Sequence, residues 1–185
     1  MPIEIRRIVT GVDGDGKAVV VQDGPAPKTV SRPAISVEGA LLWVTDETPV
    51  DLSRFDDPTD REIGVAPPTA GSILRVVDFL AQPEEIDNQA FLKEMGLGAD
   101  HGGKHAFMHR TRSIDYAIVM EGEIDMLLDE GEVHVRAGDI LIQRGTNHAW
   151  VNRSGKTCRI IFVLIDATDF PPPEPRPFPQ DRAVS

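Results

Sequence analysis

Three residues of types that carry chemistry frame the reading: His109, Asp115 and His148. Imidazole titrates near neutral pH and is the commonest nitrogen ligand of metal ions, and a carboxyl group beside it can hold or move a proton. If the chain around each histidine is extended, alternate side chains share a face: Phe107, His109 and Thr111 in one row, His148, Trp150 and Asn152 in another. Each row mixes histidine with an aromatic residue, as expected of a mostly apolar pocket carrying a few placed polar groups. Arg75 stands between Ile73 and Val77 in a third apolar run. It either reaches into such a pocket to grip an anionic substrate or extends its guanidinium to solvent. Gln143 and Asn152 are candidate supporting donors, with turn stabilisation as the other role open to each.

The elements that must position these groups are read from turn residues and periodicity. Residues 3–10 and 17–22 are β-rich runs flanking Asp13-Gly14-Asp15-Gly16, a hairpin signal. Residues 24–36 carry three prolines and read as a crossing loop, followed by a short strand at 40–45 and a long polar loop over 46–71. Ser72 to Leu80 is the next strand. Pro83, Glu84 and Glu85 then suit a helix start, and Ile86, Ala90, Phe91 and Met95 recur at helical spacing. That predicts one short amphipathic helix, with Gly96, Gly98, Gly102 and Gly103 forming a lid hinge or a plain loop behind it. From 106 to 166 the pattern is β throughout: strands near 106–112, 115–120, 123–128, 132–135, 139–143, 147–152 and 157–165, with a glycine about every 8 to 12 residues, the spacing of a sandwich or barrel. The expected organisation is 1–80 as N-terminal strands and loops, 81–104 as helix and glycine-rich loop, 105–167 as the barrel, and 168–185 as a proline-rich tail.

Composition narrows the function classes. With 185 residues, 41% of them apolar, 16 glycines and 15 prolines, the chain suits one all-β domain of short strands and tight turns. A net charge of −11 opposes binding to nucleic acid or acidic lipid. The single cysteine, Cys158, lies in an apolar run and reads as a packed strand residue in a reducing compartment. With no leader pattern and no apolar stretch approaching the roughly 18 to 20 residues that span a bilayer, the expected location is cytoplasmic.

Met108-His109-Arg110-Thr111-Arg112-Ser113-Ile114-Asp115-Tyr116, running on to Glu121-Gly122, resembles the first motif of the cupin superfamily: His-x-His, a carboxylate four residues later, then glycine. Gly138 to Asn152, with Gly145, His148 and Asn152, resembles the second. The resemblance implies a double-stranded β-helix, the cupin jelly-roll barrel, here with an N-terminal β-hairpin extension. It gives His109, Asp115 and His148 the places of metal ligands, puts Thr111 where the family has a second histidine, and puts Arg144 where it has a proline. Two histidines and an aspartate make up a facial triad for one divalent ion, Fe, Mn, Zn or Ni. The other reading is a metal-free barrel whose histidines are hydrogen-bonded pocket residues. His105 could stand in as a ligand; His101 and His134 are not expected to.

The functions this implies are a metal-dependent enzyme using carbonyl or enolate chemistry on a small oxygenated substrate (lyase, hydratase, isomerase or hydrolase), an Fe(II) oxygenase, or a metal-free binding or sensor protein. A homodimer is expected, with the hairpin and the proline tail crossing between subunits.

Overall fold

A computed structural model describes residues 3–54, 56–81 and 108–168. The helix expected within 81–104, the residues Phe107, His101 and His105, and the proline tail lie outside the described residues.

Eleven strands are described: β1 Arg6–Val12, β2 Ala18–Pro25, β3 Lys28–Arg32, β4 Val37–Thr45, β5 Ser72–Phe79, β6 Ser113–Glu121, β7 Glu123–Leu128, β8 Glu132–Arg136, β9 Ile140–Arg144, β10 His148–Val151 and β11 Cys158–Asp166. β1 and β2 form the expected hairpin. Six strands pair in the order β3-β4-β5-β11-β6-β9, and three in the order β10-β7-β8. Two expectations need correcting. The crossing loop at 24–36 contains β3, an edge strand whose five residues sit between Pro27 and Pro33 and pair with β4. Its ends are half-buried and its middle exposed, so it carries no period-2 hydrophobic signal. The strand expected at 106–112 is, among its described residues, only an isolated bridge between His109 and His148.

Alternation shows why these segments are strands. In β11, Cys158, Ile160, Phe162 and Leu164 are buried while the residues between them are only partly covered. β6 does the same with Ser113, Asp115, Ala117 and Val119. These rows face Ile124 and Met126 of β7, Val135 of β8 and Trp150 of β10, making one core between the two sheets. A fully buried side chain such as Ile73 or Ile160 contributes about 2–3 kcal/mol. The thiol of Cys158 is buried there, and burial pushes it up to about 11, so it is an unreactive packing residue.

The six-stranded sheet buries its other face too. Val76 and Ala40 pack beneath Ile3 and Ala26 of the N-terminal segment. On that side Arg159 donates from Nε and Nη2 to the two oxygens of Asp78, both at 2.7 Å. Arg7 of β1 is bonded to Asp57, Thr59 and the Leu42 carbonyl, which ties the hairpin to the long loop 46–71. The β6–β7 turn needs Gly122: its φ is +73°, and a Cβ there would lie 2.4 Å from the Thr157 carbonyl oxygen. No helix among the described residues is long and apolar enough to cross a membrane.

Candidate active site

A cavity of about 190 Å³ opens between the sheets, and its wall brings together Arg75, His109, Thr111, Asp115, His148 and Trp150. Each owes its place to strand geometry. On β5, Arg75 shares the inner face with Ile73, Val77 and Phe79, and it is flanked across the sheet by Leu41 and Phe162. Phe79, Trp150 and Phe162 form an aromatic wall with ring centroids 5.7 to 6.3 Å apart.

The histidines are joined through their backbones. His109 and His148 exchange two N–H···O bonds of 2.9 Å, and their ring centroids lie 4.5 Å apart. Nδ1 of His148 is 3.0 Å from the Thr146 carbonyl oxygen. A carbonyl only accepts, so Nδ1 carries the proton and Nε2 the lone pair. Burial, reinforced by His109, pushes His148 down to about 3, so its ring is neutral at physiological pH.

Asp115 is buried and hydrogen-bonded by neutral groups. Ser113 donates its hydroxyl to Oδ1 at 2.6 Å, and the side-chain amide of Gln143, directly opposite on β9, donates to Oδ2 at 3.1 Å. Desolvation raises the carboxyl above its ordinary range; the Ser113 bond and the charge of Arg75 oppose that less strongly. Thr111 lies 2.8 Å from the Ser113 hydroxyl. Since the Ser113 proton points at Asp115, Thr111 is the donor in that contact. The row Thr111, Ser113, Asp115 is therefore a hydrogen-bonded chain running from the cavity wall to the carboxyl group.

The remaining sequence candidates divide. Gln143 is buried behind Asp115 and orients it. Asn152 does not join the cavity wall: its amide donates to the Phe79 and Lys156 carbonyls and its Oδ1 accepts from Ser154, the turn-stabilising alternative. Ser113, Phe79 and Phe162 were not singled out from sequence. The signal for Ser113 was its position two residues before Asp115 on one strand face.

The three expected ligands, His109, Asp115 and His148, line one cavity. Among the described residues no three His, Cys, Asp or Glu side chains converge as a metal-holding group. The two imidazoles are adjacent, but both Asp115 oxygens are engaged by Ser113 and Gln143, and Thr111 is turned to Ser113. Among the described residues the donors fall short of a three-ligand ion, and the proton transfer proposed below does not run through one.

Comparison with known proteins gives a consistent set of relatives. A family model for the cupin domain matches residues 94–164. Phomopsin biosynthesis cluster protein C' of Diaporthe leptostromiformis is 34% identical over 172 residues, covering 87% of this chain and 78% of that protein. A cupin-domain-containing oxidoreductase of Neurospora crassa is 32% identical over 176 residues, covering 90% and 77%. Another, from Aspergillus ruber, is 32% identical over 175 residues, covering 88% and 73%. Among solved structures, a putative ethanolamine utilization protein of Salmonella typhimurium aligns with a TM-score of 0.47 at 10% identity, over 90% of this chain and 99% of that one.

Proposed function

Since the chain belongs to the cupin superfamily, we propose that it is an enzyme that moves a proton on a small oxygenated organic substrate held between its two sheets. The observation that carries this reading is Asp115: a buried carboxyl group bonded by neutral donors, with its proton affinity raised, wired through Ser113 to a hydroxyl in an apolar cavity. A carboxyl tuned toward neutrality is a more effective acid and base at physiological pH than an ordinary one. In its ionised form Asp115 takes a proton through Ser113 and Thr111 from a carbon or hydroxyl beside a substrate carbonyl, and its acid form returns the proton at a second atom. That is the proton traffic of an isomerase, hydratase or lyase. His148, neutral and held in one tautomer, accepts a hydrogen bond from a substrate hydroxyl at Nε2. The aromatic wall keeps water from the exchange.

The test is deuterium exchange followed by NMR over a panel of small hydroxy- and keto-acids and phenols in D₂O. Wild type is expected to exchange or convert at least one of them, and Asp115→Asn to be at least about 100-fold slower. Equal rates in the two proteins would overturn the assignment. A second reading rests on the names of the relatives from Neurospora crassa and Aspergillus ruber, which are oxidoreductases. It predicts oxygen uptake that depends on added Fe(II), and metal content lost in His109→Ala and His148→Ala.

A homodimer is part of the proposal. The hairpin forms a sheet of its own and leaves Ile8, Val12, Val20 and Val21 exposed. A monomer by sedimentation at micromolar concentration would remove it.

A further inference from the structure

Among the described residues six arginines are answered by carboxylates: Arg6 by Asp23, Arg7 by Asp57, Arg61 by Asp46, Arg112 by Asp166, Arg153 by Asp125 and Arg159 by Asp78. Arg75 is not. Its Nη2 donates to the Val65 carbonyl at 2.7 Å and to that of Gly64 at 3.3 Å, while its Nε–H, shielded from solvent, has no acceptor. Arg61 also has a buried Nε without a partner, but its Nη2 meets both oxygens of Asp46. Arg75 is on the cavity wall, on the inner face of β5; Arg32 lines the same cavity, as do Lys28 and Arg61, which are paired with Glu62 and Asp46. A buried guanidinium with a donor left over costs free energy until an acceptor arrives.

We propose that Arg75 is the anchor for a carboxylate on the substrate, so that the cavity takes a small, singly charged organic acid with an apolar body. This rests on the cavity's being the substrate site and adds the substrate class to that reading. Guanidinium and carboxylate match in shape and charge. The body of the acid lies against the aromatic rings of Phe79, Trp150 and Phe162. Asp115 on the same wall opposes a second negative charge, which favours a carboxylate over a phosphate dianion. The other role for Arg75, a strap holding the loop at Gly64 and Val65, makes no use of Nε and predicts no charge selectivity.

Benzoate, benzamide and inorganic phosphate are the probes, titrated by calorimetry into the full chain and into Arg75→Met. Benzoate is expected to bind wild type more tightly than benzamide and to lose about 10- to 100-fold in Arg75→Met, with benzamide binding both proteins alike. Asp57→Ala, which loosens the same long loop from outside the cavity, is expected to keep the preference for benzoate. Equal affinity for benzoate and benzamide in wild type, benzoate binding unchanged in Arg75→Met, or tighter binding of phosphate than of benzoate would each overturn the proposal. So would loss of the preference in Asp57→Ala, which would make Arg75 a loop strap. The assay needs no turnover. If benzoate behaves as expected while Asp115→Asn proves as active as wild type, the proton-transfer reading fails and the anion site stands.

Discussion

Arg75 and Asp78 stand on one strand, on opposite faces of one sheet, and their surroundings differ. Asp78 is buried on the outer face against Arg159, with both its oxygens bonded. Arg75 is on the inner face with two backbone carbonyls and an unanswered Nε–H. Asp115 repeats the inner pattern, a buried acid with hydroxyl and amide partners. The outer charges are matched to one another and hold the hairpin and loop to the sheet. The inner ones, Arg75 and Asp115, are bonded by neutral groups and act on each other only through space, and Arg75 keeps a donor unused, which is how a site differs from a scaffold. Each face therefore has its own response to substitution and to pH.

The largest effect is expected from Asp57→Ala. Asp57 holds Arg7, itself little exposed, and bonds the backbone and hydroxyl of Thr59. Removing it leaves a nearly buried guanidinium unpaired and cuts the link between β1 and the loop, at a cost of about 2–3 kcal/mol and roughly 5–10 °C in melting midpoint. The hydrogen bonds from Arg7 hold the Asp57 carboxyl well below the ordinary carboxylate range. Its contribution is therefore present above that range and lost as pH falls through and below it. Urea titrations from pH 7 downward should show wild type losing stability faster than Asp57→Ala. Parallel curves would mean that this pair does not stabilise the fold.

Asp115→Asn should go the other way. The inner carboxyl is raised, so its contribution is greatest below the ordinary carboxylate range and is lost as pH rises toward its folded value. Asparagine keeps the Ser113 bond, and Gln143 can turn its amide over to present oxygen. At pH 8 the variant should match wild type or exceed it by up to about 1 kcal/mol, while activity falls. A clear loss of stability at pH 8 would place Asp115 with the scaffold.

How far the sequence led follows the same division. The strands from β6 to β11 were legible because glycines such as Gly122 mark their turns and one face of each strand reads apolar. β3 was not, since its pairing comes from a neighbour 37–45 and not from any pattern of its own. His109, Asp115 and His148 were legible as types at a spacing, and the cavity does collect them. What spacing could not give was direction: both Asp115 oxygens are turned to Ser113 and Gln143, and the Asn152 amide is spent on the Phe79 and Lys156 carbonyls. Part of each orientation is decided by a residue far away in sequence, Gln143 for Asp115 and Phe79 for Asn152.

The smallest effect separates burial from geometry. Arg6 meets Asp23 in the same two-pronged arrangement that joins Arg159 to Asp78, with Nε and Nη2 each 2.7 Å from an oxygen in both pairs. The side chains of the first pair are 68% and 44% exposed, those of the second 32% and 10%. If contact geometry set the contribution, Asp23→Asn and Asp78→Asn would cost the same. Water and salt screen the hairpin pair, and each of its members, once separated, is solvated again. Asp78→Asn instead leaves Arg159 without its counter-charge where less water reaches it. Asp23→Asn is therefore expected to leave the melting midpoint unchanged at 0.15 M salt, and Asp78→Asn to lower it by a few degrees, about 1–2 kcal/mol. Equal shifts would show that the outer-face pair is no more than a surface ion pair, and would leave the covered apolar face, with Val76, Ala40 and Ile3, to hold that side of the sheet alone.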